Sequence, residues 1–242
     1  MKTVVPSYYK DFRCIAGDCR HTCCVGWEIG VDEDSAARFA ADPLTAPHLL
    51  SGNPPQLRLL SGERCPFLRQ DGLCEMIVQR GEEFLCQICR DHPRFRNFWS
   101  DRVELGLGLV CEEAARLILS QPEPLSLVTL ADDGQNDPLP DDERWLLDLR
   151  DNLLAGITET GPRARLLEYL VFRHLPNALY DDRVEQRLAF IERAFAKITA
   201  AWDNTDVSLD ALAEVARQWS YDVEYDDEEL EKRICAAIPD KE

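Results

Sequence analysis

The stretch Cys14-Ile-Ala-Gly-Asp-Cys19-Arg-His-Thr-Cys23-Cys24-Val-Gly-Trp27 places four thiols within eleven residues. Five more follow at Cys65, Cys74, Cys86, Cys89 and Cys111, and a tenth stands apart at Cys235. Around them, residues 51–74 are broken by Gly52, Pro54, Pro55, Gly62, Pro66 and Gly72. A segment with so many chain breakers has little regular structure of its own, and something else must order it. Bound metal does this, because forming the site and folding the chain are one process.

Working outward, the 242 residues carry a formal charge of −18. The sequence shows neither an apolar signal segment nor a membrane-spanning run, which makes the reducing cytoplasm the expected compartment. Clustered cysteines there point to metal ligation more than to disulfides. Residues 1–120 hold 14 Lys and Arg against 17 Asp and Glu, whereas residues 121–242 hold 13 against 28, a local charge of −15. Such a balance excludes the basic footprint of a nucleic-acid binder and suits a lysine-rich protein partner.

Thiolates select zinc, copper(I) or iron–sulfur clusters. Only Cys86-Gln-Ile-Cys89 has the short knuckle spacing of a zinc site. The adjacent pair Cys23-Cys24 can hardly close on one tetrahedral zinc without strain. It serves different atoms of a cluster, or two centres, more easily. This ranks iron–sulfur above zinc, with zinc as the alternative. The Cys-x3-Cys-x2-Cys spacing of radical S-adenosylmethionine enzymes is half met by Cys19 and Cys23, but position 26 is Gly. No Gly-x-Gly-x-x-Gly, P-loop or nucleophile elbow is present. His21, inside the cluster, is a candidate to support the ligands. His92 reads as a turn histidine. Arg94 and Arg96 can clamp a carboxylate, such as that of a methionine moiety. Cys235 reads as a small buried thiol on an apolar helix face.

The ordered set Cys14-x4-Cys19-x3-Cys23-Cys24-x2-Trp27, Cys65-Pro-Phe-Leu68, Asp71-Gly-Leu-Cys74, Cys89-x3-Pro93-Arg94 and Cys111-Glu-Glu-Ala-Ala-Arg116-Leu resembles the flagellin lysine-N-methylase family. Its middle part also looks like a broader zinc- or iron-chelating cysteine-cluster family. The resemblance spans about residues 6–120. It implies a [4Fe–4S] cluster, S-adenosylmethionine as methyl donor, and surface lysines of flagellin as substrate. It also implies Cys14, Cys19, Cys23, Cys24, Cys65, Cys74, Cys89 and Cys111 as the metal-site positions, with Cys86 incidental.

Residues 121–141, with Pro122, Pro124, Pro138 and Pro140, read as an acidic linker. Beyond it the 3.6-residue period takes over. Trp145, Leu146, Leu149 and Leu153 mark one helix, and Thr160-Gly-Pro162 starts another. Val184, Leu188, Ile191, Phe195, Ile198 and Trp202 stripe a third, Ser208 caps a fourth, and Leu230, Ile234 and Ile238 suggest a last. The expected architecture is mainly α: an irregular, metal-binding domain over 1–120 packed with an all-α acidic domain over 142–242.

Overall fold

Asp32, Ser208 and Asp226 each accept, through a side-chain oxygen, a hydrogen bond from the backbone N–H three residues on, at Ser35, Ala211 and Glu229, and each starts a helix. In the computed structural model, which describes residues 1–237, the elements run in chain order β1 (Lys2–Pro6), α1 (Glu33–Ala41), β2 (Leu49–Leu50), β3 (Gln56–Leu57), α2 (Glu75–Arg80), α3 (Gln87–Asp91), β4 (Arg94–Phe98), β5 (Arg102–Leu107), α4 (Glu112–Leu119), β6 (Leu127–Ala131), α5 (Asp141–Ala155), α6 (Pro162–His174), α7 (Ala178–Asp181), α8 (Val184–Trp202), α9 (Leu209–Val223) and α10 (Asp227–Cys235). The chain is mainly helical, as the period predicts. Among the described residues no helix is long and apolar enough to cross a membrane.

The chain divides into two compact units. One is Cys14–His92; the other joins Met1–Arg13 to the chain from Pro93 onward. The expected division, 1–120 from 142–242, lies elsewhere because the first residues are not irregular. Lys2-Thr-Val-Val-Pro6 forms β1, parallel to β5 and antiparallel to β6, in a sheet of order β4-β5-β1-β6. The linker reading of 121–141 changes for the same reason: Leu127–Ala131 is β6, registered on β1 with Val5 opposite Val128 and Pro6 opposite Leu127. Neither strand is long enough to stand alone, so each depends on a partner more than a hundred residues away.

In the larger unit α6 is the central helix. Leu166 and Leu170 are fully buried on it, and so are Arg165, Glu168, Tyr169 and His174 or nearly so. Each buried leucine side chain contributes about 1.5–3 kcal/mol. Gly161 rather than Thr160 holds the N-cap of α6, with Pro162 at its first position. The α8 stripe packs inward as read: Ile191, Ile198 and Trp202 are buried, and Val184, Leu188 and Phe195 lie against the same core. Trp145 departs from its stripe, because Leu146, Leu147 and Arg150 take the inner face of α5 and leave the indole 56% exposed. Arg150 sits there because it meets the fully buried Glu104 of β5 with two hydrogen bonds, of 2.6 and 3.0 Å. Gly106 has a steric reason to be glycine: a Cβ there would lie 2.2 Å from the Phe95 ring of the neighbouring strand. That ring in turn carries the Arg173 guanidinium 4.8 Å from its centroid. Ile238 lies outside the described residues.

The smaller unit has its own core of Ile29, Val31, Phe39, Leu57, Phe67, Met76 and Leu85, joined by Cys65 and Cys86. Asp32 ties its helices together. One carboxylate oxygen accepts from Ser35 N at 3.0 Å and the other from Gln87 N, at the start of α3, at 2.7 Å. Asp32→Ala removes both acceptors and is expected to cost about 1–2 kcal/mol. Urea unfolding followed by circular dichroism measures it; an unchanged midpoint would mean that neither bond contributes.

Candidate metal centre

A short antiparallel ladder aligns the two halves of the thiol patch. Val25 bridges Arg64, Gly26 N donates to Glu63 O, and Cys65 N donates to Cys24 O at 2.8 Å. This register sets Cys24 beside Cys65. Leu68 then bridges Cys74, and Glu75 N donates to Phe67 O, which returns Cys74 to the same region at the N-cap of α2. Cys86 holds the corresponding place before α3, one turn ahead of Cys89. None of the ten cysteines is joined in a disulfide.

The electrostatics show how closely these sulfurs share one environment. The Cys23 thiol, then the Cys65 thiol, hydrogen bonds to Cys24 and pulls its pKa from 9.0 down to about 3 against the effect of burial, with the His92 charge adding to the shift. Cys65 moves the opposite way, raised by its bond to Cys24 and by burial. Cys74 is raised by burial, while the Ile77 and Met76 N–H groups at the head of α2 pull it down. The Cys89 thiol lowers Cys86; Cys89 itself is raised by that bond, by burial, and by the charges of Cys86, Cys65 and Cys24. Six sulfurs, Cys23, Cys24, Cys65, Cys74, Cys86 and Cys89, therefore influence one another, and Cys24 and Cys86 are lowered while Cys65, Cys74 and Cys89 are raised.

Of the eight cysteines expected at a metal site, the structure thus gathers Cys23, Cys24, Cys65, Cys74 and Cys89, and it adds Cys86. Cys14 is exposed on the leading loop, and Cys19 Sγ donates to His21 O at 2.8 Å. Cys111 belongs to the other unit, where it precedes α4 and packs partly buried against that core. Cys235 is exposed, not buried: α10 turns Ile234 inward and leaves Cys235 beside Glu231 and Arg183. His92, read as a turn residue, is the histidine whose charge reaches Cys24, and its ring lies 6.0 Å from that of Trp27. Trp27 Nε1 donates to Cys23 O at 2.6 Å and so anchors the loop. Arg94 and Arg96 sit on β4, and Arg94 stacks over Tyr9 and Phe12 at 5.7 and 5.4 Å.

Among the described residues no group of three or more His, Cys, Asp or Glu side chains stands in metal-holding geometry; the thiols hydrogen bond to one another instead. The donor set itself, soft, crowded and half-buried, fits a thiophilic centre. A metal bound there would replace the protons of these thiols.

The fold and the patch define a mainly helical protein with a compact, thiol-rich unit. Relatives to which it is similar include proteins named lysine-N-methylase. The chain is 28% identical over 134 residues to the lysine-N-methylase of Salmonella choleraesuis (strain SC-B67) and 27% identical over 134 residues to that of Salmonella typhimurium (strain LT2), each match covering 50% of this chain and 33% of the relative. It is 25% identical over 134 residues to the flagellar biosynthetic protein FliU of Salmonella muenchen, covering 50% of this chain and 79% of that protein. The resemblance read from the cysteines is thus carried by these distant relatives. The chain spans about a third of the length of the two lysine-N-methylases that it matches. No family model matches the chain, and no solved structure matches it.

Proposed function

We propose that this chain acts as an iron–sulfur-dependent protein-lysine N-methyltransferase on flagellin or a similar surface protein, with S-adenosylmethionine as methyl donor. The observation that carries the reading is the similarity of half the chain to lysine-N-methylases. The coupled thiols support the metal part of it. Cys23, Cys24, Cys65, Cys74 and Cys89 would hold the cluster, with Cys86 a further donor and Cys14, Cys19 and Cys111 the remaining family positions. Bound there, a [4Fe–4S] centre supplies redox-active, Lewis-acidic iron. His21 would steady the ligand loop, and Arg94 and Arg96 would hold the carboxylate of the donor. Methyl transfer from a sulfonium to lysine needs the neutral amine, and the lysine ammonium proton must leave before the N–C bond forms and the S–C bond breaks. The −15 charge of residues 121–242 draws a lysine-bearing surface toward the chain.

Protein purified and reconstituted without oxygen is expected to be brown, with a broad band at about 400 nm. Given S-adenosylmethionine and flagellin, it is expected to add methyl groups to lysines, read by peptide mass spectrometry. Colourless, zinc-loaded protein that leaves every lysine unmodified would overturn the proposal. A non-catalytic iron–sulfur or zinc module is the second reading, favoured by the placement of six coupled thiols in a compact unit with its own core. Full metal content without binding of S-adenosylmethionine in calorimetry would select it.

A further inference from the structure

The sheet ends on one side at β6, and among the described residues no strand lies beyond it. Alternate backbone groups of a strand face its two neighbours, so about half of the N–H and C=O groups of Leu127–Ala131 face away from β1. The strand reads Leu127-Val-Thr-Leu-Ala131, with no charge and no proline. Val128 is 42% and Leu130 36% exposed, and Thr129 and Ala131 are exposed as well. Proteins guard such an edge with charge, proline, a bulge or a short strand. The opposite edge of this sheet, β4, carries Arg94 and Arg96. On β6 only its length of five residues and a register shift opposite Thr3 and Val4 serve as guards. Both ends of the strand are held. Leu125 N donates to Glu168 Oε2 at 3.0 Å and Ser7 N to Ser126 O at 2.9 Å, while the Met1 ammonium pairs with Asp133 and Lys2 N donates to Asn136 Oδ1 at 2.8 Å. The edge is therefore presented in a fixed place on the larger unit.

Acid flanks this edge on both sides. Residues 121–143 hold Glu123, Asp132, Asp133, Asp137, Asp141, Asp142 and Glu143 and no Lys or Arg. Asp133 is paired with the Met1 ammonium and Asp141 with Arg144, whereas Glu123, Asp137 and Asp142 stand exposed. A second copy docking edge to edge would set these acids against themselves, and like-charge contact opposes it. We propose that the free edge of β6 is a docking surface for an extended, lysine-rich segment of another protein, which joins the sheet beyond β6. Main-chain hydrogen bonds to β6 supply the affinity, apolar side chains of the segment cover Val128 and Leu130, and its lysines meet the acidic flanks. The strand spans about 17 Å, room for a segment of about five residues. The lysine chemistry of the partner rests on the methyltransferase reading; the open edge does not, and its test uses neither methyl donor nor turnover.

The test is fluorescence anisotropy of a short labelled peptide of alternating lysine and valine, titrated with the full chain purified without oxygen. The same peptide with every backbone nitrogen methylated, and its glutamate–valine counterpart, serve as controls. The lysine peptide is expected to bind saturably, and both controls about tenfold more weakly or worse. Val128→Lys puts a guarding charge on an exposed position and is expected to weaken the lysine peptide by about tenfold, with the melting temperature unchanged. Glu123→Gln with Asp137→Asn is expected to weaken it too and to flatten its salt dependence. Equal binding of the N-methylated peptide would overturn the proposal, because charge alone would then explain the attraction. So would the absence of saturable binding, or a dimer in sedimentation that Val128→Lys dissolves. Binding at this edge without methylated lysine in the flagellin assay would sink the methyltransferase reading alone. Flagellin methylation unchanged in Val128→Lys would sink the docking edge alone.

Discussion

Cys24→Ser is expected to empty the metal centre. Cys24 takes hydrogen bonds from Cys23 and Cys65, which hold its pKa down at about 3. It is therefore the thiol that becomes a ligand most readily, since metal binds the thiolate. A serine oxygen is hard and stays protonated, so it replaces neither the charge nor the softness. Changing a residue that merely supports a ligand costs about 10–100-fold in metal affinity, and loss of Cys24 is expected to exceed that range. Because Cys65 and Cys86 join the core of the smaller unit and Cys24 packs against it, soluble yield should fall with metal content. Cys86→Ser is expected to act in the same direction, as Cys86 is bonded to Cys89. Cys235→Ser is expected to change nothing, since that thiol is exposed on α10. Iron and zinc per chain by elemental analysis, together with the visible spectrum, read all three; a Cys24→Ser protein with full metal content would remove Cys24 from the ligand set.

Glu224→Ala is expected to be the most damaging change in the larger unit. The Glu224 side chain is wholly buried. Tyr169 O–H donates to it at 2.8 Å, Ser220 O–H donates as well, His174 Nε2 lies at 2.7 Å and Arg173 Nε at 3.3 Å. Tyr169 passes the order on, accepting from Leu109 N at 3.2 Å. Removing the carboxylate leaves the Arg173 charge without its counter-ion and strands several buried donors, at a cost of about 3–5 kcal/mol. The same network makes stability depend on pH. Burial raises the pKa of Glu224, but the Arg173 charge and the His174 hydrogen bond overcome this and hold it at about 2, below its ordinary 4.5. The unfolded chain therefore takes up this proton first. The stabilisation is complete above pH 4.5 and is lost as pH falls toward about 2, a contribution of about 3 kcal/mol. Burial also lowers His174 below 6.5, so the native state resists its protonation and stability begins to decline once pH drops below that value. Urea midpoints measured from neutral to acid pH should fall in both windows for wild type, and Glu224→Gln should flatten the more acidic one. Parallel curves for the two proteins would show that Glu224 is not the group responsible.

Much of the helical half is legible in the order of residues. The stripe from Val184 to Trp202 names its own buried face, and Ser208 announces a helix start, because caps and the 3.6-residue period act within a few residues. The thiols are equally plain, since a cysteine is recognised wherever it stands, although its acidity is set by neighbours that only the fold supplies. The local signal Cys86-x2-Cys89 was visible too; the family pattern set Cys86 aside, and the fold returned it to the patch. Trp145 and Cys235 went astray because a stripe fixes a direction only relative to its helix, and α5 and α10 turned other residues inward. The chain order thus shows where the thiols lie and the buried stripe of the longest helix, α8. Only the tertiary structure decided that β1 and β6 pair, that Cys24 lies against Cys65, that His92 reaches the patch, and that Arg165 and Glu224 are buried. Each of these depends on contacts between residues tens to more than a hundred positions apart, and no local period records them.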